Sequence, residues 1–128
     1  MRKDSTFTYG RYLRLDQLLD GQRPLTDKHD EMLFIIQHQT SELWMKLAIH
    51  ELTSAREAIR NDTLPAAMKM LARVSRIFEQ LNSAWDVLRT LTPDDIPPSA
   101  MPLAQGQAFK AGNIERLSSY WAIRPRGI

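Results

Sequence analysis

The sequence predicts an all-α protein: a helical bundle in which two long antiparallel helices follow a short N-terminal helix and precede an irregular C-terminal tail. Three observations carry this expectation. Residues from about 29 to 60 run without Gly or Pro and repeat apolar side chains three and four apart. Residues from about 66 to 91 do the same. Only the polar Asn61-Asp62-Thr63 separates the two runs, a connection short enough to make them neighbours in an αα-hairpin. No β-sheet is expected.

The first segment, Phe7 to Leu19, places Tyr9, Tyr12, Leu13, Leu15, Leu18 and Leu19 at mixed helical spacing. It reads as a short helix entered through Gly10 and stopped by Asp20-Gly21, with a polar loop through Pro24 to Lys28.

The second segment carries Leu33, Ile36, Leu43 and Leu47 on one stripe and Trp44, Ala48, Leu52, Ala55 and Ile59 beside it. Two stripes imply contacts on more than one side. Asp30 and Glu31 suit the positive N-terminal end of the helix macrodipole, and Arg56 and Arg60 the negative C-terminal end. Glu42 and Lys46 stand four apart in the favourable order, a surface pair worth about 0.3 kcal/mol.

In the third segment Pro65 is placed for the first helical turn, where its missing N–H costs nothing. Met68, Leu71, Val74, Phe78, Leu81, Trp85 and Leu88 then read as one seam, ended by Thr92-Pro93. The fourth segment is punctuated by Pro97-Pro98, Pro102, Gly106 and Gly112, and its apolar residues share no period.

Composition narrows the function classes. The 128 residues allow a single core, and 43% hydrophobic residues suit a globular body. Seventeen basic and 15 acidic residues are scattered singly, which argues against nucleic acid as a partner. The chain has no Cys, so disulfides, thiolate metal sites and a Cys nucleophile are excluded. The polar stretch Met1 to Gly10 is no secretory signal, and no apolar run reaches membrane-spanning length. A soluble, cytoplasmic protein is expected. Gly-rich phosphate loops, nucleophile elbows and dinucleotide fingerprints are missing.

Three His remain as candidates for chemistry: His29, His38 and His50. Glu31, His38 and Glu42 share spacing with one helix face, the beginning of a metal site in a bundle. A second helix with Glu-x-x-His is missing, however, so solvated carboxylates around one partly buried His are the favoured reading. His38 follows the apolar run Leu33-Phe34-Ile35-Ile36 and precedes polar Gln39-Thr40-Ser41. It can be a hydrogen-bonding group in the wall of an apolar pocket or a core His satisfied by a neighbouring helix. The residues alone favour the second. Tyr9, Tyr12, Trp44 and Trp85 are by the same reasoning core rather than ligand box.

The stretch His29-Asp-Glu-Met-Leu-Phe-Ile-Ile-Gln-His-Gln-Thr-Ser-Glu-Leu-Trp44 closely resembles the signature of the tryptophan 2,3-dioxygenases. So do Thr8-Tyr-Gly-Arg-Tyr-Leu-Arg-Leu-Asp-Gln-Leu-Leu19 upstream and Leu91-Thr-Pro93 downstream, so the resemblance runs from about residue 7 to 95. It implies a cytosolic, almost wholly helical homotetramer that uses haem b and O2 to convert L-tryptophan to N-formylkynurenine. It further implies that Phe34, Ile35, Ile36, Gln37 and His38 line the substrate pocket, with Phe34 packing on the indole. His38 would hydrogen-bond the indole N–H, orienting the substrate while the haem supplies the chemistry. Tyr9, Tyr12 and Leu13 would complete a neighbouring subunit's pocket in trans, and Trp85 would lie near the haem edge.

The resemblance also sets limits. The family's chains are well over twice this length, and their haem-ligating His lies in the C-terminal half, so no metal ligand is expected here. Residues 1–95 read as the N-terminal part of a haem-dioxygenase helical domain and 96–128 as an irregular tail. The family carries Tyr-x-x-Phe-Arg, whose Arg holds the substrate carboxylate, directly after Thr-Pro-x-Glu, where this chain has Ile96-Pro-Pro-Ser-Ala100. A chain inactive by itself is therefore expected, with two other readings open: a non-catalytic helical hairpin, or a haem enzyme acting on another indole. A shifted reading frame accounts for the tail. Codons built from the last base of one codon and the first two of the next can spell Tyr-x-x-Phe-Arg-Asp-Ala-Leu-Gly from Asp95 onward. From Ala108 to Arg124 they can spell Phe-Gln-Ser-Trp-Gln-Tyr-Arg, two variable residues, and Glu-Phe-Leu-Leu-Gly-Asn-Lys. Tyr120-Trp121-Ala122 allows only Leu-Gly in that frame.

Overall fold

A computed structural model of the chain describes residues 7–96 and 98. The expected tail therefore lies almost wholly outside the described residues. In order, the elements are α1 (Tyr9–Tyr12), α2 (Leu15–Leu18), α3 (Glu31–Arg60), α4 (Leu64–Leu88) and a 3-10 turn over Pro93–Asp95. Among the described residues there is no strand.

The N-terminal helix expected over Phe7 to Leu19 is two single turns. The break falls at Arg14, whose φ of 52° lies in the left-handed region. Its carbonyl accepts from Gln17 and Leu18 and so starts α2 afresh, while Gly10, the expected entry point, sits inside α1.

The long helices form as expected. α3 begins two residues after His29, with Glu31 in its first turn and Arg60 in its last. Its C-terminus is closed by a left-handed residue, Asp62 (φ 57°). The Thr63 N–H reaches the Ala58 carbonyl at 2.8 Å and the Asp62 N–H reaches Ile59 at 3.1 Å, the paired bonds of a Schellman cap. Pro65 stands in the first turn of α4. α4 ends at Leu88, before the expected Thr92-Pro93; there Thr92 and Asp95 cap the 3-10 turn reciprocally.

α3 and α4 pack against each other along a seam of small residues. Ala48, Ala55 and Ala58 of α3 meet Ala67, Val74 and Ile77 of α4, all buried, with Phe34 and Met45 extending the seam towards the N-terminus of α3. On α4 the inward positions are Ala67, Met70, Val74, Ile77, Leu81, Ala84 and Leu88, a regular three-four alternation. The single seam expected from the large residues is thus two faces. Val74, Leu81 and Leu88 turn inward, whereas Met68, Leu71, Phe78 and Trp85 stand on the exposed side. On α3, likewise, Ile36 and Leu43 are exposed while small Ala48 is fully buried. Close approach of two helices selects small side chains at the contact, and the larger ones are left to cover other faces.

One ion pair crosses the hairpin, from Arg73 on α4 to the buried Glu51 on α3. The loop before α3 is held by Glu31, whose buried carboxylate accepts from the Leu25 N–H (2.7 Å), the Thr26 N–H (2.8 Å) and the Thr26 hydroxyl (2.5 Å). Lys28 of the same loop donates to the Asp94 carbonyl, joining the loop to the far end of the hairpin.

Candidate functional site

His38 lies in the second turn of α3, on the side where the N-terminal half of that helix meets the C-terminal half of α4. Its Nδ1 is 2.7 Å from the carbonyl oxygen of Phe34, one turn back. A carbonyl oxygen can only accept, so Nδ1 carries a proton, and in the neutral form of the ring Nε2 is the acceptor. The Phe34 ring backs the imidazole with centroids 4.2 Å apart and a tilt of 32°. Phe34 itself is buried, so the imidazole is held both by a backbone bond and by a packed ring.

Two clefts share His38. The first is an open cleft between α3 and α4, lined by Gln37, His38, Ser41, Glu42, Met45, Trp85 and Leu88. Met45, Trp85 and Leu88 make its apolar wall, and Trp85 keeps 40% of its surface exposed. Polar groups gather along the α3 side, where Ser41 donates to the Gln37 carbonyl and Gln37 reaches the Ser41 hydroxyl. The second cleft opens between α3 and the N-terminal segment, where Gln17, Leu18 and Gly21 face His38, Gln39 and Lys46.

The residues expected at the site divide. His38, Gln37 and Trp85 line the first cleft together, and Phe34 supports them from the core. Ile35 and Ile36 do not line it, and Ile36 is exposed on another side of α3. Tyr9, Tyr12 and Leu13 stand out from α1 and its C-terminal cap, with Tyr9 76% exposed, and line neither cleft. Ser41 and Met45 were not singled out from the sequence, Glu42 was named there only as a surface partner of Lys46 and a possible metal ligand, and Leu88 only as a seam residue. Their signal was nonetheless present: Ser41, Glu42 and Met45 follow His38 by three, four and seven residues, and Leu88 follows Trp85 by three.

Glu31 completes the surroundings on the loop side. Its carboxyl is held below the ordinary value of 4.5, chiefly by the Thr26 hydroxyl and then by the Leu25 N–H, against the opposing effect of burial. Glu31, His38 and Glu42, counted as possible metal ligands, are not brought together. Among the described residues no three such groups converge, and the Glu31 carboxylate is turned to Leu25 and Thr26.

An apolar cleft with one aromatic wall and one fixed acceptor nitrogen suits a flat aromatic ligand that carries a single N–H. The same apolar wall suits the edge of a macrocycle, and the Nδ1 bond commits His38 to facing the cleft through Nε2. Among the described residues no helix is long and apolar enough to cross a membrane.

A family model described as tryptophan 2,3-dioxygenase matches residues 1–119. The chain is 62% identical over 104 residues to the tryptophan 2,3-dioxygenase of Bradyrhizobium diazoefficiens, covering 81% of this chain and 37% of that protein. It is similarly 62% identical over 104 residues to that of a Ruegeria species, with the same coverage. With the enzyme of Ralstonia pickettii it shares 55% over 106 residues, 83% of this chain and 38% of the relative. The chain thus spans less than two fifths of the length of the curated relatives it matches.

Proposed function

The chain belongs to the tryptophan 2,3-dioxygenase family, and from that premise we propose that it supplies the indole-orienting wall of an enzyme that adds O2 to L-tryptophan to give N-formylkynurenine. The observation that carries this reading is the 2.7 Å contact from His38 Nδ1 to the Phe34 carbonyl. In the neutral imidazole it leaves Nε2 as the acceptor beside an apolar cleft, which is what an indole N–H requires. A protonated imidazole would offer only donors there and would repel the indole N–H.

The haem b expected of the family fits the first cleft as a neighbour: Trp85, Met45 and Leu88 would border it. When bound, it supplies the activation of dioxygen. This chain's own residues do the rest. His38 accepts from the indole N–H, Phe34 holds the imidazole plane, and the apolar wall excludes water from the reacting ring. The exposed Tyr9, Tyr12 and Leu13 are offered outward to a neighbouring subunit in a cytoplasmic homotetramer. On this reading the 128-residue stretch by itself neither retains haem at one per chain nor turns over tryptophan, because its cleft has only two of its walls.

The test is His38→Ala in a full-length, haem-loaded enzyme that carries residues 1–95 of this sequence. Loss of one positioning hydrogen bond should lower kcat/KM for L-tryptophan by about 10- to 100-fold with haem content unchanged. With 1-methyl-L-tryptophan, which has no indole N–H, the substitution should cost little more than the methyl group already does. Loss of haem on substitution, or an equal loss with both substrates, overturns the assignment.

A further inference from the structure

We infer that Gln39 is a positioning residue whose amide clamps the Leu18–Gln22 segment to α3 and thereby sets how open the His38 imidazole is to solvent and ligand. Gln39 follows His38 directly, and its side chain points to the N-terminal segment. Its Nε2 donates to the Gly21 carbonyl at 3.0 Å. Its Oε1 accepts from Gln22 Nε2 at 2.8 Å, and that same nitrogen donates to the Leu18 carbonyl at 3.0 Å. Both ends of the Gln39 amide are therefore committed to one short stretch of chain.

The packing at this point is close. A Cβ added at Gly21 would come within 3.4 Å of the Gln17 and Leu18 carbonyl oxygens and 3.8 Å of Gln39 Nε2. The chain thus turns at Gly21 close against its own preceding turn, with the clamp seated beside it. Gln17, Leu18 and Gly21 form the far wall of the second cleft, and His38 forms part of the near wall. Weakening the clamp moves that wall, and the imidazole, with Glu42, lines both clefts. Since α1 and α2 pack chiefly on each other, the clamp is also where the arm bearing Tyr9 and Tyr12 is referred to the His38 helix.

The catalytic meaning of this inference rests on His38 as the indole acceptor, but its test needs neither haem nor substrate. Diethyl pyrocarbonate modifies unprotonated imidazoles in proportion to their accessibility, and His29 and His50, both exposed, serve as internal references. In the full 128-residue chain, Gln39→Ala should raise the His38 modification rate about tenfold, two hydrogen bonds being lost. The rates at His29 and His50 and the helical circular dichroism should not change. Gln22→Ala should act in the same direction, and Gln39→Glu should act less than Gln39→Ala, since it keeps the acceptor for Gln22. An unchanged His38 rate in both alanine variants overturns the inference while leaving the indole reading standing. Should Gln39→Ala accelerate all three His through loss of helix, Gln22→Ala, which lies outside the hairpin, decides alone.

Discussion

Arg73 donates to Glu51 at 2.7 Å across the α3–α4 hairpin, with the carboxylate buried and the guanidinium half in solvent. The asymmetry sets which partner can be removed. Arg73→Met strands a carboxylate in the seam and should destabilise the chain by about 1–3 kcal/mol, less than for a fully buried pair because water reaches the arginine side. Replacing both, as Arg73→Met with Glu51→Leu, should recover most of that loss. Urea denaturation of the two single variants and the double variant reads this directly, and simple additivity would sink it.

Acid should release the loop before α3 ahead of the hairpin. Glu31 has its folded pKa depressed below 4.5, first by the Thr26 hydroxyl and then by the Leu25 N–H. A depressed folded pKa means that the stabilisation is complete above the unfolded value and is lost as pH falls through the folded one. Hydrogen exchange at the Leu25 and Thr26 amides, which donate straight to this carboxylate, should lose protection over that window once corrected for intrinsic rates. Glu31→Gln should flatten the pH dependence. The same pH dependence of protection in Glu31→Gln as in the unsubstituted chain would contradict the linkage.

Both long helices could be read from the sequence because their runs lack Gly and Pro and their end charges match the macrodipole. The connection could be read because Asn61-Asp62-Thr63 leaves no room for another path. The inward faces could be read only in part: the stripe with Ala48 and Ala55 was legible, and so were Val74, Leu81 and Leu88, but not which of the other large residues face out. Hydrophobic periodicity weights large side chains, and here the contact is made by Ala48, Ala55 and Ala67 while Phe78 and Met68 look outward. The break at Arg14 was equally hidden, since an arginine at positive φ carries no local signal and the nearby Gly10 is helical. At the site, His38 stood out by its place between an apolar and a polar run. Its tautomer did not, because that depends on a carbonyl one turn back.

That inversion of faces gives a paired prediction. Ala48→Leu adds bulk at a fully buried seam position and should cost about 1–3 kcal/mol. Met68→Lys removes a large apolar residue that is 65% exposed, and should change stability by no more than about 0.5 kcal/mol. Thermal unfolding of the two variants ranks them. The reverse order, which hydrophobicity of the sequence alone would suggest, would place the seam on the other face of α4.

The tail poses a question for the gene. Beyond the wobble-permitted matches, three junctions in the shifted frame have no freedom in what they spell. Met101-Pro102 must spell Ala, Tyr120-Trp121 Leu and Trp121-Ala122 Gly, all in agreement with the family pattern inferred there. The family match runs to residue 119, past the start of that frame, so the two readings of the tail separate on one measurement. We expect the codons from Asp95 to Arg124 to spell Tyr-x-x-Phe-Arg and the later motifs in the shifted frame, with an open frame continuing beyond. Codons that do not spell them make residues 96–128 a tail in its own right.

The Schellman closure at Asp62 has a kinetic consequence. A connection of three residues between α3 and α4 keeps the contacts nearest the turn local in sequence, so closing the first of them costs little chain entropy. Ala58 and Ala67, buried on either side of that turn, can meet early, and the seam can then zip outward towards His38 and Trp85. On a ribosome the hairpin would close soon after Leu88 has emerged. The cleft at its open end would form last, with Leu71 and Phe78 already displayed on the outer face of α4.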